Sequence, residues 1–185
     1  MNMKKSVLML AIILAFCSLG RTQEEKKTVA QVLDGGIKSI ESEFIPAAEA
    51  MPEEKYGFAP STGEFKGVRT FAQQIKHVAA VNYLVAAAIL GEKPPLDTNG
   101  EAGPDSLRTK ADIVKFAKDS FAYAHHAASS ITEANSLEPI PTPFGKNKGT
   151  RLGLATVFAW HGFDHYGQIV EYLRMNGIVP PASRN

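Results

Sequence analysis

Apolar residues recur three and four apart from Thr28 to about Met51, opening Thr-Val-Ala-Gln-Val-Leu-Asp-Gly-Gly-Ile-Lys-Ser-Ile-Glu-Ser-Glu-Phe, and that period predicts a first helix with Thr28 as its N-cap. Pro46 should kink this helix or end it early. Gly35-Gly36 costs about 1 kcal/mol per glycine relative to alanine, which leaves open a bend or the close approach of a neighbour. Glu53 to Lys66 has no period and carries turn residues, so it reads as a loop. A second helix is predicted from about Val68 or Thr70 to Leu90, where Gly91 caps it and Pro94-Pro95 forbid continuation.

Residues 91 to 108 hold two Pro-Gly-rich patches and no apolar period. That connection is longer than the usual two to eight residues between bundle neighbours, and suits a crossover between two parallel helices. A third helix, from about Thr109 to Ile131, places Ile113, Phe116, Ala117, Phe121, Ala124 and Ala128 on one stripe. From Ala134 to Gly149, prolines at 139, 141 and 143 argue against a paired strand, so this segment is expected to be an extended loop. A fourth helix should run from about Thr150 to Met175 and end at Asn176-Gly177. Measured at 100° per residue, Leu154, Val157, Phe158, His165, Gln168, Ile169, Tyr172 and Met175 all fall within about 80° of His161. Leu152, Phe163, Val170 and Leu173 form a second apolar patch, so this helix is either central or shared with a partner subunit, and a homodimer is the economical reading.

Composition adds a compartment and removes some chemistry. The 185 residues are 44% hydrophobic and 21% charged, enough for one globular domain with a real core. Lys4 and Lys5, the apolar run from Val7 to Phe16 and the small residues Ser18 and Gly20 match a secretory leader, so residues 1–20 read as a signal peptide and 21–185 as the mature domain. The run is too short for a stable membrane anchor, and export to the periplasm or beyond the cell is expected. Bulky Phe16 before Cys17 speaks against a lipoprotein box. Cys17 is the single cysteine, so the mature domain would have no thiol or disulfide of its own. Losing Lys4 and Lys5 leaves 18 basic residues against 19 acidic, and a near-neutral domain without a basic run offers no electrostatic case for nucleic acid.

The candidate chemistry lies in histidines. His161 and His165, four apart on a helix, project from one face a single turn apart and can share one ion. Their place on the apolar stripe adds weight, because two unpaired imidazoles there would be desolvated without compensation. His77 shares its side of the second helix with Val81, Leu84 and Ala88. With the pair it would complete three neutral nitrogen ligands and leave coordination positions open, the arrangement of a catalytic site. Asp164, about 60° from His161, could orient a ligand or accept a proton from bound water. Gln168 could hydrogen-bond a ligand imidazole or a substrate, and Tyr172 shares that stripe. Tyr56, Phe58 and Trp160 are candidates to line a pocket, while His125 and His126 read as surface residues.

The segments Phe71 to Leu90 and Trp160 to Pro181 resemble the two signature regions of the DinB/YfiT-like superfamily. The second holds His161 and His165, then Gly167-Gln168, Tyr172-Leu173-Arg174, Gly177 and Pro180-Pro181. The resemblance implies an all-α fold, a four-helix bundle in up-down-down-up order, often dimeric, with a divalent metal on His77, His161 and His165. Many members have histidine and arginine where this chain has Asp164 and Tyr166.

Zinc or nickel suits an all-nitrogen site, with iron and manganese left open because availability overrides intrinsic affinity. The leading functional expectation is an exported metal-dependent hydrolase acting on a small-molecule substrate, in which the ion activates water. The alternatives are a non-catalytic bundle stapled by its metal that binds a small molecule or partner, and a thiol-dependent transferase. Export argues against the transferase, because reduced low-molecular-weight thiols belong chiefly to the cytosol.

Overall fold

The computed structural model describes residues 26–184; the leader and Cys17 lie outside the described residues. Four helices form the domain: α1 (Val29–Ala50), α2 (Phe71–Leu90), α3 (Lys110–Ser129) and α4 (Arg151–Met175). Each starts where a threonine can accept a hydrogen bond from an otherwise orphaned N–H. Thr28, Thr70, Thr109 and Thr150 cap the four helices, and Gln31 and Gln73 complete reciprocal capping boxes on α1 and α2. Gly91, in the left-handed region at φ 76°, ends α2. Pro46 neither breaks α1 nor ends it early, because the helix continues to Ala50.

The helix directions follow from who meets whom. Gly36 lies opposite Ala159 and Ile40 opposite Gly162, so α1 and α4 run parallel. Gln74 meets His165 and His77 meets His161, so α2 runs antiparallel to α4. Asn82 bonds Ser120 and Glu92 bonds Tyr123, so α2 and α3 are parallel, joined by the long crossover. The order is up-down-down-up, and α1 neighbours α3 and α4 rather than α2. Phe44, Phe71, Phe121 and Phe158 fill the centre without exposure, and Phe44 meets Phe121 edge-on at 5.9 Å. No helix among the described residues is long and apolar enough to cross a membrane.

One expectation is corrected. Residues 134–149 are not simply an extended loop, since β1 (Pro139–Pro141) pairs antiparallel with β2 (Lys148–Thr150), Ile140 opposite Gly149. The hydrogen-bonded positions on β1 are the even-numbered ones, because just beyond it Thr142 N–H donates to the Asn147 carbonyl at 3.3 Å. Pro139 and Pro141 fall between them, where an N–H would point away from the partner strand, so the alternation of the prolines permits the pairing it was expected to prevent. The far patch of α4 divides. Leu173 is fully buried while Phe163 is 40% exposed. Because α4 packs against both α1 and α2, its apolar arc is divided between two neighbours and is wider than one stripe.

Candidate metal centre

His77 on α2 and His161 and His165 on α4 converge where the two helices cross antiparallel. One ring nitrogen from each lies within 4.8 Å of the others. The Nε2 atoms of His77 and His161 are 3.1 Å apart, and the ring centroids are 4.5 to 5.0 Å apart. Two ligand nitrogens held tetrahedrally at about 2.05 Å from zinc are separated by about 3.3 Å, so the spacing is that of donors around one ion.

On its other side α4 is held close to α1 by the glycine between its histidines. A Cβ on Gly162 would stand 2.7 Å from Cγ1 of Ile40, so only glycine lets α4 seat against α1 at this depth. The crossover after α2 is fixed as firmly. Gly103, at φ 76°, presses on Lys76, whose Nζ donates to the Pro104 carbonyl at 3.0 Å. This seats the Glu101 carbonyl 2.7 Å from His77 Nδ1. His77 Nδ1 therefore carries the proton and donates it to Glu101, leaving Nε2 with a free lone pair.

The surroundings keep the imidazoles neutral. Burial drives His161 down to about 3, helped by repulsion from His165 and His77 and opposed by Asp164. Burial, then His77 and Arg69, bring His165 down to about 4. Burial also lowers His77, against the hydrogen bond to Glu101. At neutral pH this cluster offers lone pairs and no positive charge, which suits a cation and repels none. Nδ1 of His161 is buried with no partner among the described residues, the one loose end of the cluster.

The other expected residues divide. Asp164 is exposed, with Oδ2 4.0 Å from His165 Nε2 and 3.4 Å from Gln168 Nε2. Gln168 lies beside His165 and accepts a 2.8 Å bond from Gln74. Tyr172 does not reach the imidazoles; its hydroxyl donates to the Arg69 carbonyl at 3.1 Å and its ring meets Phe58 edge-on, which ties the chain before α2 to α4. Tyr56 is buried elsewhere, donating to the Ala48 carbonyl at 2.7 Å. Trp160 is 59% exposed, its ring edge-on to His161 at 5.9 Å. His125, expected at the surface, is half-buried between two carboxylates, Asp34 Oδ1 at 2.6 Å from Nδ1 and Glu41 Oε2 at 3.1 Å from Nε2.

Two participants are absent from the sequence reading. Gln74, 2% exposed, accepts from His165 Nδ1 at 2.6 Å. A glutamine one turn before His77 within an otherwise apolar face was a usable signal, since a buried amide needs partners. Glu101 contributes through its backbone, and no residue type announces that.

The model of the DinB superfamily matches residues 38–169. Two solved structures share the architecture. A DinB-like protein from Bacillus subtilis, YjoA, superposes with a TM-score of 0.59 at 21% identity, covering 78% of this chain and 91% of its own. YfiT from Bacillus subtilis, described as a probable metal-dependent hydrolase with an unusual four-helix bundle topology, superposes with a TM-score of 0.60 at 15% identity, covering 85% of this chain and 94% of its own. No curated protein matches the chain. With most of the sequence under the family model and the up-down-down-up bundle in place, the chain belongs to the DinB superfamily.

Proposed function

We propose that this protein is a metal-dependent hydrolase of a small molecule, working outside the cytoplasm, with His77, His161 and His165 holding one divalent ion. The observation that carries the reading is the meeting of three neutral imidazole nitrogens within 4.8 Å at the crossing of α2 and α4, two of the rings fixed through Nδ1. A divalent ion supplies Lewis acidity there, lowering the pKa of water or polarising a carbonyl or phosphoryl oxygen. The three ligands add no negative charge to offset it. In this reading Asp164 takes up the proton, which its exposure and its distance of 4.0 Å from His165 Nε2 support. Export rests on the leader in residues 1–20, and the exposed Trp160 and Phe163 on α4 support a homodimer. The description of YfiT as a metal-dependent hydrolase supports the choice of reaction class.

One observation favours a second reading, a bundle merely stapled by its metal. Cavities of about 620, 570 and 320 Å³ lie at the Lys110–Lys118 side of α3, beside Lys38 and Pro46 of α1, and beside Gly91, and none of these three is lined by the histidines. Elemental analysis of protein purified without tag or chelator, beside His161→Ala prepared identically, tests the site. About one equivalent of zinc or nickel, absent in the variant, is expected, and no metal after supplying either ion would sink the proposal. Turnover of ester, amide or phosphoester model substrates by the loaded protein, lost in Asp164→Ala with the metal retained, separates hydrolase from staple.

A further inference from the structure

We propose that Gln74, Gln168 and Asp164 are positioning residues, a one-way chain of hydrogen bonds whose carboxylate end holds His165 with its proton on Nδ1 and so presents Nε2 to the metal. The inference deepens the metal-site reading and rests on it for its purpose, while the chain itself is a property of the protein without metal.

The direction of the chain follows from what each end can do. His165 Nδ1 lies 2.6 Å from Gln74 Oε1, Gln74 Nε2 lies 2.8 Å from Gln168 Oε1, and Gln168 Nε2 lies 3.4 Å from Asp164 Oδ2. Each amide accepts on the side of His165 and donates on the side of Asp164. An ionised carboxylate has no proton to give, so the last link runs only one way. Turning Gln168 over would set its oxygen against the Asp164 carboxylate. Turning Gln74 alone would set its oxygen against that of Gln168 inside the bundle, where Gln74 is 2% exposed and the mismatch is costly. With both amides fixed, Gln74 offers His165 only an acceptor, and the neutral ring must carry its proton on Nδ1.

Gln168 Nε2 also stands 3.4 Å from His165 Nδ1, a contact that would need Nδ1 as acceptor and the proton on Nε2. The 2.6 Å contact to Gln74 is much the shorter and decides the tautomer. The lock on His165 thus parallels the lock on His77 by the Glu101 carbonyl, but through side chains and with its terminus in solvent. Asp164 one turn before Gln168 on α4 and Gln74 one turn before His77 on α2 put all three members on the two ligand-bearing helices.

The test reads the His165 tautomer by nitrogen-15 NMR in metal-free protein, and zinc affinity by chelator competition. In the wild type a single Nδ1–H form is expected. Asp164→Asn, whose amide can donate as well as accept, should give a mixture of both tautomers and weaken zinc about two- to tenfold, and Asp164→Glu should restore both readings. Gln74→Met, similar in size but without polar atoms, should weaken zinc about 10- to 100-fold with its helical circular dichroism unchanged. An Nε2–H form in the wild type, or a single unchanged Nδ1–H form in Asp164→Asn, would overturn the proposal. Absence of zinc binding in a wild type that nonetheless shows the locked tautomer would count against the metal function and leave the chain standing.

Discussion

Two places in this bundle clamp a histidine between helices, and they treat it in opposite ways. Where α2 crosses α4, three imidazoles face one another with amide and carbonyl oxygens behind two of them, and burial pushes their protonation down. Where α3 crosses α1, His125 has a carboxylate at each ring nitrogen, and Lys38 joins the cluster by pairing with Asp34. The first place gathers lone pairs and lacks a cation. The second already holds a cation, the Lys38 ammonium on Asp34, and both ring nitrogens of its histidine are occupied by carboxylates. Residue type alone does not distinguish ligand from ion-pair partner; the charge of the neighbours does.

The largest way to break the contrast is to remove a ligand. His161→Ala should lower zinc affinity by well over 100-fold, more than the loss of an outer partner, while His125→Gln leaves it unchanged; competitive titration reads both. Next, Gly162→Ala should cost about 1–3 kcal/mol in chemical denaturation, because its Cβ would stand 2.7 Å from Ile40 Cγ1, and it should weaken metal binding as α4 shifts. If stability and affinity are both unchanged, the close seat of α4 is not what aligns the pair.

Acid should separate the two places further. The folded, metal-free triad resists protons that the unfolded chain accepts below about 6.5, since His161 and His165 sit near 3 and 4. Stability is therefore highest above the unfolded value and falls as pH drops towards 4 and 3. Replacing all three histidines by glutamine should flatten that slope in denaturation curves taken from pH 7 to 4. The smallest effect is expected at the ion pairs. His125→Gln should cost less than about 1 kcal/mol, as partly exposed pairs do. It should also raise the Asp34 carboxyl towards its ordinary range only in part, because the Lys38 hydrogen bond is the main cause of its lowering.

Much of this molecule was legible beforehand. Periodicity with threonine and glycine punctuation located all four helices, and the histidines on the apolar stripes of two of them indicated that both ligand faces turn inward. The length of the connection after α2 pointed to parallel α2 and α3, which the Asn82–Ser120 and Glu92–Tyr123 contacts bear out. The proline ribbon was misread because the rule against proline in strands depends on which way each N–H points, and that is set by register with β2. Tyr172 shares the stripe of His165 yet works on the Arg69 carbonyl, since helical angle gives direction but not reach.

The sequence by itself determined the helices, their caps, their buried faces and the residue types of the metal centre, because these are local consequences of period and side-chain chemistry. Only the tertiary structure decided that Gln74 stands behind His165, that a backbone oxygen at Glu101 stands behind His77, and that His125 lies between Asp34 and Glu41. Those partners come from other elements of the chain, and at Glu101 from an atom every residue possesses. Their identity is fixed by how closely the helices seat at Gly162 and the crossover at Gly103, a matter of distances that no pattern along one dimension contains.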